Sequence, residues 1–369
     1  MIELIEIKGY KSVKNLRLEL RPINIFIGSN GAGKSNFISF FRLIQSIYNQ
    51  QLRRFVLEEG VDNLLHFGRK VTKKLEGKII FSSDQKYNNA YKFALAQTKE
   101  GGLFLEREGS GYMVSYDDDV RGYKYYDNLP ESIIQESDAT RDTYLKNYLS
   151  GLQIFHFHDT TETSPLRKGC EQEDNQYLKS DGRNLPAILF LIKELHPKTY
   201  TRIVKTIQSV APYFQDFILQ PSKSKGKQTY IELRWKEKSD AESNFSAYQL
   251  SDGTLRFIAL TTLLLQPDPP PVIIIDEPEL GLHPQAITKL AGMIQVASEE
   301  SQVIVATQSV NLVDCFKPED IIAVDRDSKE NQSVFKRLAS DLLIQWLNDF
   351  SLGELWTKNI IDSAQPFSR

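Results

Sequence analysis

Alternation opens the chain. Residues Met1 to Ile7 alternate like a strand, and Leu16 to Leu20 does the same after the turn Lys8 to Val13. That pattern predicts an antiparallel strand pair. Pro22 to Ile27 is a mostly apolar run and reads as a buried strand, after which Ser35 to Ile44 switches to helical apolar spacing. Short strand-like segments at 78–82, 91–97, 103–107 and 113–116 are divided by Asn, Gly, Lys and Asp turns, which predicts an antiparallel layer. Residues 117–143 are polar and read as an inserted lobe or irregular loop. The turn Asp181 to Pro186 leads into predicted helices at 187–195 and 197–210. Two further apolar runs, 272–275 and 303–306, read as buried strands that end in polar residues. The expected fold is α/β, with a mostly parallel core sheet, an antiparallel layer and a helical lobe.

Length and composition add limits. A chain of 369 residues suits one large α/β domain or two smaller ones. With Lys+Arg 45 against Asp+Glu 48 the formal charge is -3, so charge neither identifies nor excludes a nucleic-acid partner. Cys170 and Cys315 have no C-x-x-C spacing and fit a reducing cytoplasm. No leader pattern opens the sequence, and its most apolar stretch, 257–265, is far short of the ~18 residues of a membrane span. A soluble, cytoplasmic protein without a membrane partner is expected.

The chemistry centres on Gly28-Ser29-Asn30-Gly31-Ala32-Gly33-Lys34-Ser35, which matches G-x-x-x-x-G-K-[ST] between a predicted strand and helix. Glycines let backbone N–H groups turn toward phosphates, Lys34 reaches the β/γ-phosphates and the Ser35 hydroxyl ligates Mg²⁺. Asp276 and Glu277 close a predicted buried strand, where Asp276 would hold the metal through water and Glu277 would polarise the attacking water. Gln308 ends the next such strand and would be presented to the same edge. The polar turn before the apolar helix at 255–265 carries Ser251, whose hydroxyl and neighbouring N–H groups suit a phosphate.

Two patterns stay open. His156, His158 and Asp159 read either as a metal site or as polar residues ending a strand. The basic turns at 69–74 and 223–227, with Lys73 and Lys225, read either as solvated loops or as contacts to a phosphate backbone.

Taken together, GSNGAGKS at 28–35, LSDGT at 250–254, IIIDEP at 273–278, ELGLHP at 279–284 and VATQS at 305–309 resemble an ABC-type ATPase head. The opening IEIKGYKSVKNLRLEL further resembles the SMC/RecF/Rad50 group and the ATPase half of OLD-family nucleases. The resemblance implies that Lys11, Asn30, Gly31, Gly33, Lys34, Ser35 and Asn36 bind ATP, and that Ser251 and Gly253 cap the γ-phosphate held by a second copy. It further implies Asp276 as the Mg²⁺ acid, Glu277 as the base, and Gly281 to His283 as a loop crossing the dimer interface. Residues 155–160 fall where relatives place a glutamine-bearing metal loop.

The sequence departs from that family pattern in three places. Gln308 replaces the usual switch histidine, and its amide can donate a hydrogen bond but cannot change protonation, which suits slow turnover. Asp252 stands where relatives have glycine and would bring a carboxylate near the γ-phosphate. No long heptads stand between the nucleotide loop and the signature, and the residues after Gln308 are not expected to form the Toprim nuclease domain into which OLD nucleases continue. The resemblance therefore implies a single ABC-type ATPase domain over 1–369, with a β-rich insertion at 84–150, a helical signature lobe at 184–256 and the acid strand, switch and C-terminal part at 257–369. The expected function is an ATP-hydrolysing switch, homodimeric through ATP, that regulates a separate effector acting on DNA or RNA. A Toprim-type nuclease in phage defence or DNA repair is the expected effector. The alternatives are an ATP-binding scaffold with little hydrolysis and a transporter ATPase subunit.

Overall fold

Helix Lys34–Tyr48 forms where Phe37, Phe40, Phe41, Ile44 and Ile47 recur at helical spacing, and all five are buried. Each such side chain contributes about 1.5–3 kcal/mol on leaving water, enough to dock the helix firmly in the core. In the computed structural model residues 1–82, 88–113, 121–223, 229–240, 242–327 and 329–361 are described. The chain divides into two compact units: residues 1–154, 270–274 and 301–369, and residues 155–269 and 275–300.

The first unit holds an antiparallel sheet in the order Val13–Glu19, Ile2–Tyr10, Lys74–Phe81, Asn88–Gln97, Leu103–Met113, Arg121–Leu129. The opening pair has the expected register, with Ile5 opposite Leu18 and Ile7 opposite Leu16. Of the two readings of 117–143, an inserted lobe or an irregular loop, the loop is corrected over the described residues, because Arg121–Leu129 is a strand and a helix begins at Thr140. One acid of this stretch is satisfied inside the protein. Buried Asp142 accepts hydrogen bonds from Ser110 Oγ (2.5 Å), Tyr126 OH (2.7 Å) and Ser137 Oγ (2.5 Å). At Asp142, polarity therefore marks a buried hydrogen-bonded network. Beyond Met113, the strand expected at 113–116 lies outside the described residues.

A second sheet has the order Gln332–Arg337, Ile321–Asp327, Ile23–Ile27, Gln302–Ala306, Val272–Asp276, Leu152–Phe155. Ile23–Ile27 runs parallel to both Gln302–Ala306 and Ile321–Asp327. All five residues of Gln302–Ala306 are buried, which explains its lack of alternation. The chain passes from the first unit to the second along Val272–Asp276, between Ile274 and Ile275.

The second unit contains helices Leu185–Leu195, Pro197–Val210, Asp252–Leu265 and Pro284–Ala297. Eleven of the fourteen residues of Asp252–Leu265 are buried, so this helix is the core around which the unit packs. Short strands Phe214–Ile218, Arg234–Glu237 and Phe245–Ser246 form a small sheet beside them in sequence.

Candidate functional site

The first unit builds the nucleotide loop. Strand Ile23–Ile27 ends at Gly28, and helix Lys34–Tyr48 begins after Gly33, its N-cap, at φ 122°. Glycine is required there for space as well as torsion, since a Cβ on Gly33 would lie 2.1 Å from Ser333 Oγ. Lys34 is only 5% exposed, and its ammonium donates to the carbonyl oxygens of Gly28 (2.7 Å) and Ser29 (3.2 Å). The ammonium is thus folded back over the loop. A Cβ on Gly31, at φ 80°, would meet nothing within 4 Å, so the loop is open at its tip. Asn30 and Ser35 are exposed.

Two side chains outside the motif hold this loop. Ser333 Oγ is 2.5 Å from the Ala32 carbonyl oxygen and 2.7 Å from Ser12 Oγ, which also accepts a 2.7 Å hydrogen bond from Asn36 Nδ2. Ser333 is 301 residues from Ala32, so no local signal could have revealed it. Lys11 occupies a left-handed turn at φ 46° and pairs with Glu59 at 3.1 Å. With Ser12, Asn36, His66, Phe67 and Arg326 it lines an open cavity of about 420 Å³. Gln308 belongs to the same unit, exposed just past Thr307, whose N–H donates to Phe26 O at 2.9 Å. The parallel register pairs Ala306 with Phe26, so Gln308 and Gly28 leave neighbouring strands at the same end.

The second unit builds the acid and signature segments. Glu277 follows Asp276 in a left-handed conformation at φ 44°, a strained torsion for a non-glycine residue that turns the chain out of the strand. The Asp276 carbonyl oxygen lies 2.6 Å from His158 Nε2. Asp159 is occupied by the Thr161 hydroxyl (2.7 Å) and N–H (3.1 Å), which hold its pKa below the ordinary carboxylate value. Among the described residues there is no cluster of three His, Cys, Asp or Glu side chains suited to a metal ion.

Ser251 caps helix Asp252–Leu265, accepting from Thr254 N at 3.2 Å. Beneath it lies Arg167, 8% exposed, which donates to the carbonyl oxygens of Thr160 (2.8 Å), Ala247 (2.5 Å) and Leu250 (3.1 Å) and to Asp252 Oδ1 (2.6 Å). The carboxylate at position 252 is therefore neutralised within its own chain. One turn into the helix, buried Arg256 donates to Phe157 O and His158 O, both at 2.9 Å, and to Leu280 O. It ties the signature helix, the 157–158 segment and the 279–283 loop together. Gly253 and Gly281 allow that contact, because a Cβ on Gly253 would stand 2.5 Å from Gly281 O. Neither arginine was singled out from sequence, since each acts on carbonyls that only folding brings together.

Residues 23–314 match the family model described as "AAA domain, putative AbiEii toxin, Type IV TA system". The chain belongs to this AAA family. Its fold is that of SMC ATPase heads, a P-loop NTPase fold. An SMC head solved bound to the C-terminal winged-helix domain of ScpA is 18% identical, with a TM-score of 0.61 over 93% of this chain and 99% of that one. An SMC head with an extended coiled coil, bound to the C-terminal domain of ScpA derived from Pyrococcus furiosus, is 17% identical, with a TM-score of 0.57 over 94% and 98%. No curated protein matches the sequence. No helix among the described residues is long and apolar enough to cross a membrane.

Proposed function

We infer that this AAA-family chain is an ATP-hydrolysing switch that pairs with a second copy across two shared nucleotides. The observation that carries the reading is the loop 28–35 at its strand–helix junction, with the Lys34 ammonium drawn over the Gly28 and Ser29 carbonyls. Its open tip and the helix N-terminus behind Gly33 fit the phosphates of ATP, and the cavity beside Lys11, His66 and Phe67 has room for the rest of a nucleotide. Lys34, Asn30, Gly31, Gly33 and Asn36 bind phosphate in this reading, and Lys11 exchanges Glu59 for it. The hydroxyl of Ser35 and the carboxylate of Asp276 are oxygen donors suited to Mg²⁺, which when bound neutralises phosphate charge. Glu277 accepts the proton of the attacking water, and Gln308 donates a hydrogen bond toward the γ-phosphate.

Ser251 and Gly253 complete the site of the other copy, because one loop alone cannot surround a γ-phosphate and a second helix N-terminus supplies the missing donors. The cycle regulates a separate effector acting on nucleic acid. In support, the SMC heads of similar fold were solved with a second protein, ScpA, bound to them. A Toprim-type nuclease serving phage defence or DNA repair is the effector class proposed.

Mixing two inactive proteins tests the shared site. Lys34→Ala loses the phosphate contact and Ser251→Arg blocks the signature side, so each alone is inactive. In the mixed dimer one site carries both lesions and the other is intact. A one-to-one mixture regains up to about a quarter of wild-type sites when exchange is free and the sites act independently. Normal exchange and ATP-bound mixed dimers with no recovered turnover would overturn the shared site.

A further inference from the structure

Helices Pro197–Val210 and Pro284–Ala297 contain no Asp or Glu, in a chain whose formal charge is -3. The buried side of the first is Tyr200, Ile203, Val204 and Ile207, which leaves Lys198, Arg202 and Lys205 on its exposed side. Lys289 of the second helix joins them around an open groove of about 400 Å³, lined also by the hydroxyl side chains Thr201 and Thr206. Among the described residues none of these four cations takes part in an ion pair, whereas lysines elsewhere, such as Lys11 and Lys14, have carboxylate partners. Four uncompensated cations crowded in one groove repel one another, and an anion relieves that repulsion.

We propose that this groove binds the phosphate backbone of double-stranded nucleic acid without reading its sequence. The spacing supports a polyanion over a single phosphate. Seven residues of helix separate Lys198 from Lys205, about 10 Å of rise. Duplex DNA carries one negative charge per ~1.7 Å of axis and matches several cations over that length. The hydroxyls of Thr201 and Thr206 now donate to the carbonyls of Pro197 and Arg202, each at 2.8 Å, and can turn to phosphate oxygens instead. The groove lining has no aromatic side chain on which an unpaired base could stack, and no Asn or Gln to pair with a base edge. The lack of aromatics favours a duplex over a single strand, and cations spaced along the helix match a row of backbone phosphates. This inference rests on the nucleic-acid part of the proposed function but not on ATP binding.

The test titrates the full chain, free of nucleotide, into a short fluorescent DNA duplex of mixed sequence at several salt concentrations. With four phosphate contacts the slope of log K against log salt is about -4, at ~0.9 per contact. Replacing Lys198, Arg202, Lys205 and Lys289 together by Gln removes most of that slope, while neutralising Lys73 and Lys225 leaves it in place. Should the fourfold variant lose its thermal transition, Arg202→Glu and Lys289→Glu alone carry the test, each lowering the slope by about one or more. The titration contains no nucleotide, so failure of the nucleotide reading leaves this result standing. An unchanged slope in the fourfold variant overturns the proposal. So does a slope abolished by the Lys73 and Lys225 changes, or binding to polyglutamate or phosphatidylserine vesicles with none to the duplex.

Discussion

Arg167 and Asp252 are joined at 2.6 Å, a buried guanidinium holding the carboxylate that stands in the signature turn. The arginine's other donors reach three carbonyl oxygens around that turn, so it shapes the backbone that presents Ser251. Arg167→Met leaves those three acceptors without their donor at roughly 1 kcal/mol each, whereas Asp252→Asn keeps an oxygen acceptor for the buried guanidinium and removes only its counter-charge, a smaller loss. The expected outcome is a thermal midpoint several degrees lower for Arg167→Met and lowered less for Asp252→Asn. ATP binding persists in both and turnover falls mainly in the first. Equal effects of the two changes would remove Arg167 from this role.

Glu277→Gln keeps the shape of the side chain and removes its capacity to take a proton. Turnover is expected to fall by a factor of about 10²–10⁴ with ATP affinity retained, and the ATP-bound dimer accumulates in sedimentation. Wild-type turnover in this variant would reassign the base.

Ser333 braces the nucleotide loop from the far end of the chain. Ser333→Ala removes the contacts to Ala32 O and Ser12 Oγ and leaves a buried carbonyl without its partner, a loss of about 1–1.5 kcal/mol. Because the loop must be ordered to bind phosphate, ATP affinity drops by about tenfold in a fluorescent-nucleotide titration. An unchanged affinity would show that the motif holds its own shape.

Glu108 is fully buried and accepts from Tyr91 OH at 2.7 Å and Ser132 Oγ at 2.6 Å. Burial raises its pKa above the usual 4.5, against the lowering effect of those hydrogen bonds. The folded state therefore keeps its proton to higher pH than the unfolded state. Glu108 contributes stability that is fully present below the unfolded value and is lost as pH rises through the folded one. Glu108→Gln keeps the neutral form at every pH, so the midpoint of its thermal unfolding declines less than that of wild type as pH is raised from about 4.5 toward neutrality. Parallel pH profiles for the two proteins would contradict the assignment.

The sequence determined whatever depends on neighbours along the chain. The strand, glycine loop and helix at 23–48 follow from local periodicity and torsional need, and the buried strands at 272–276 and 302–306 follow from their apolar runs. Those segments contain Lys34, Ser35 and Asp276 or lead directly to Glu277 and Gln308. What the tertiary structure decided is which distant groups meet. Ser333 against Ala32, Arg167 under the turn at 250–252 and Arg256 against Leu280 are contacts to backbone atoms, which every residue carries and no motif marks. The strand Arg121–Leu129 was missed for the related reason that its polar side chains find partners on other elements, Tyr126 with Asp142 and Asp127 with Arg107. The basic groove was hidden because its cations lie three and four residues apart on one helix and are completed by Lys289 from another. A run of adjacent charges shows in sequence, but a face shared by two helices exists only after they pack.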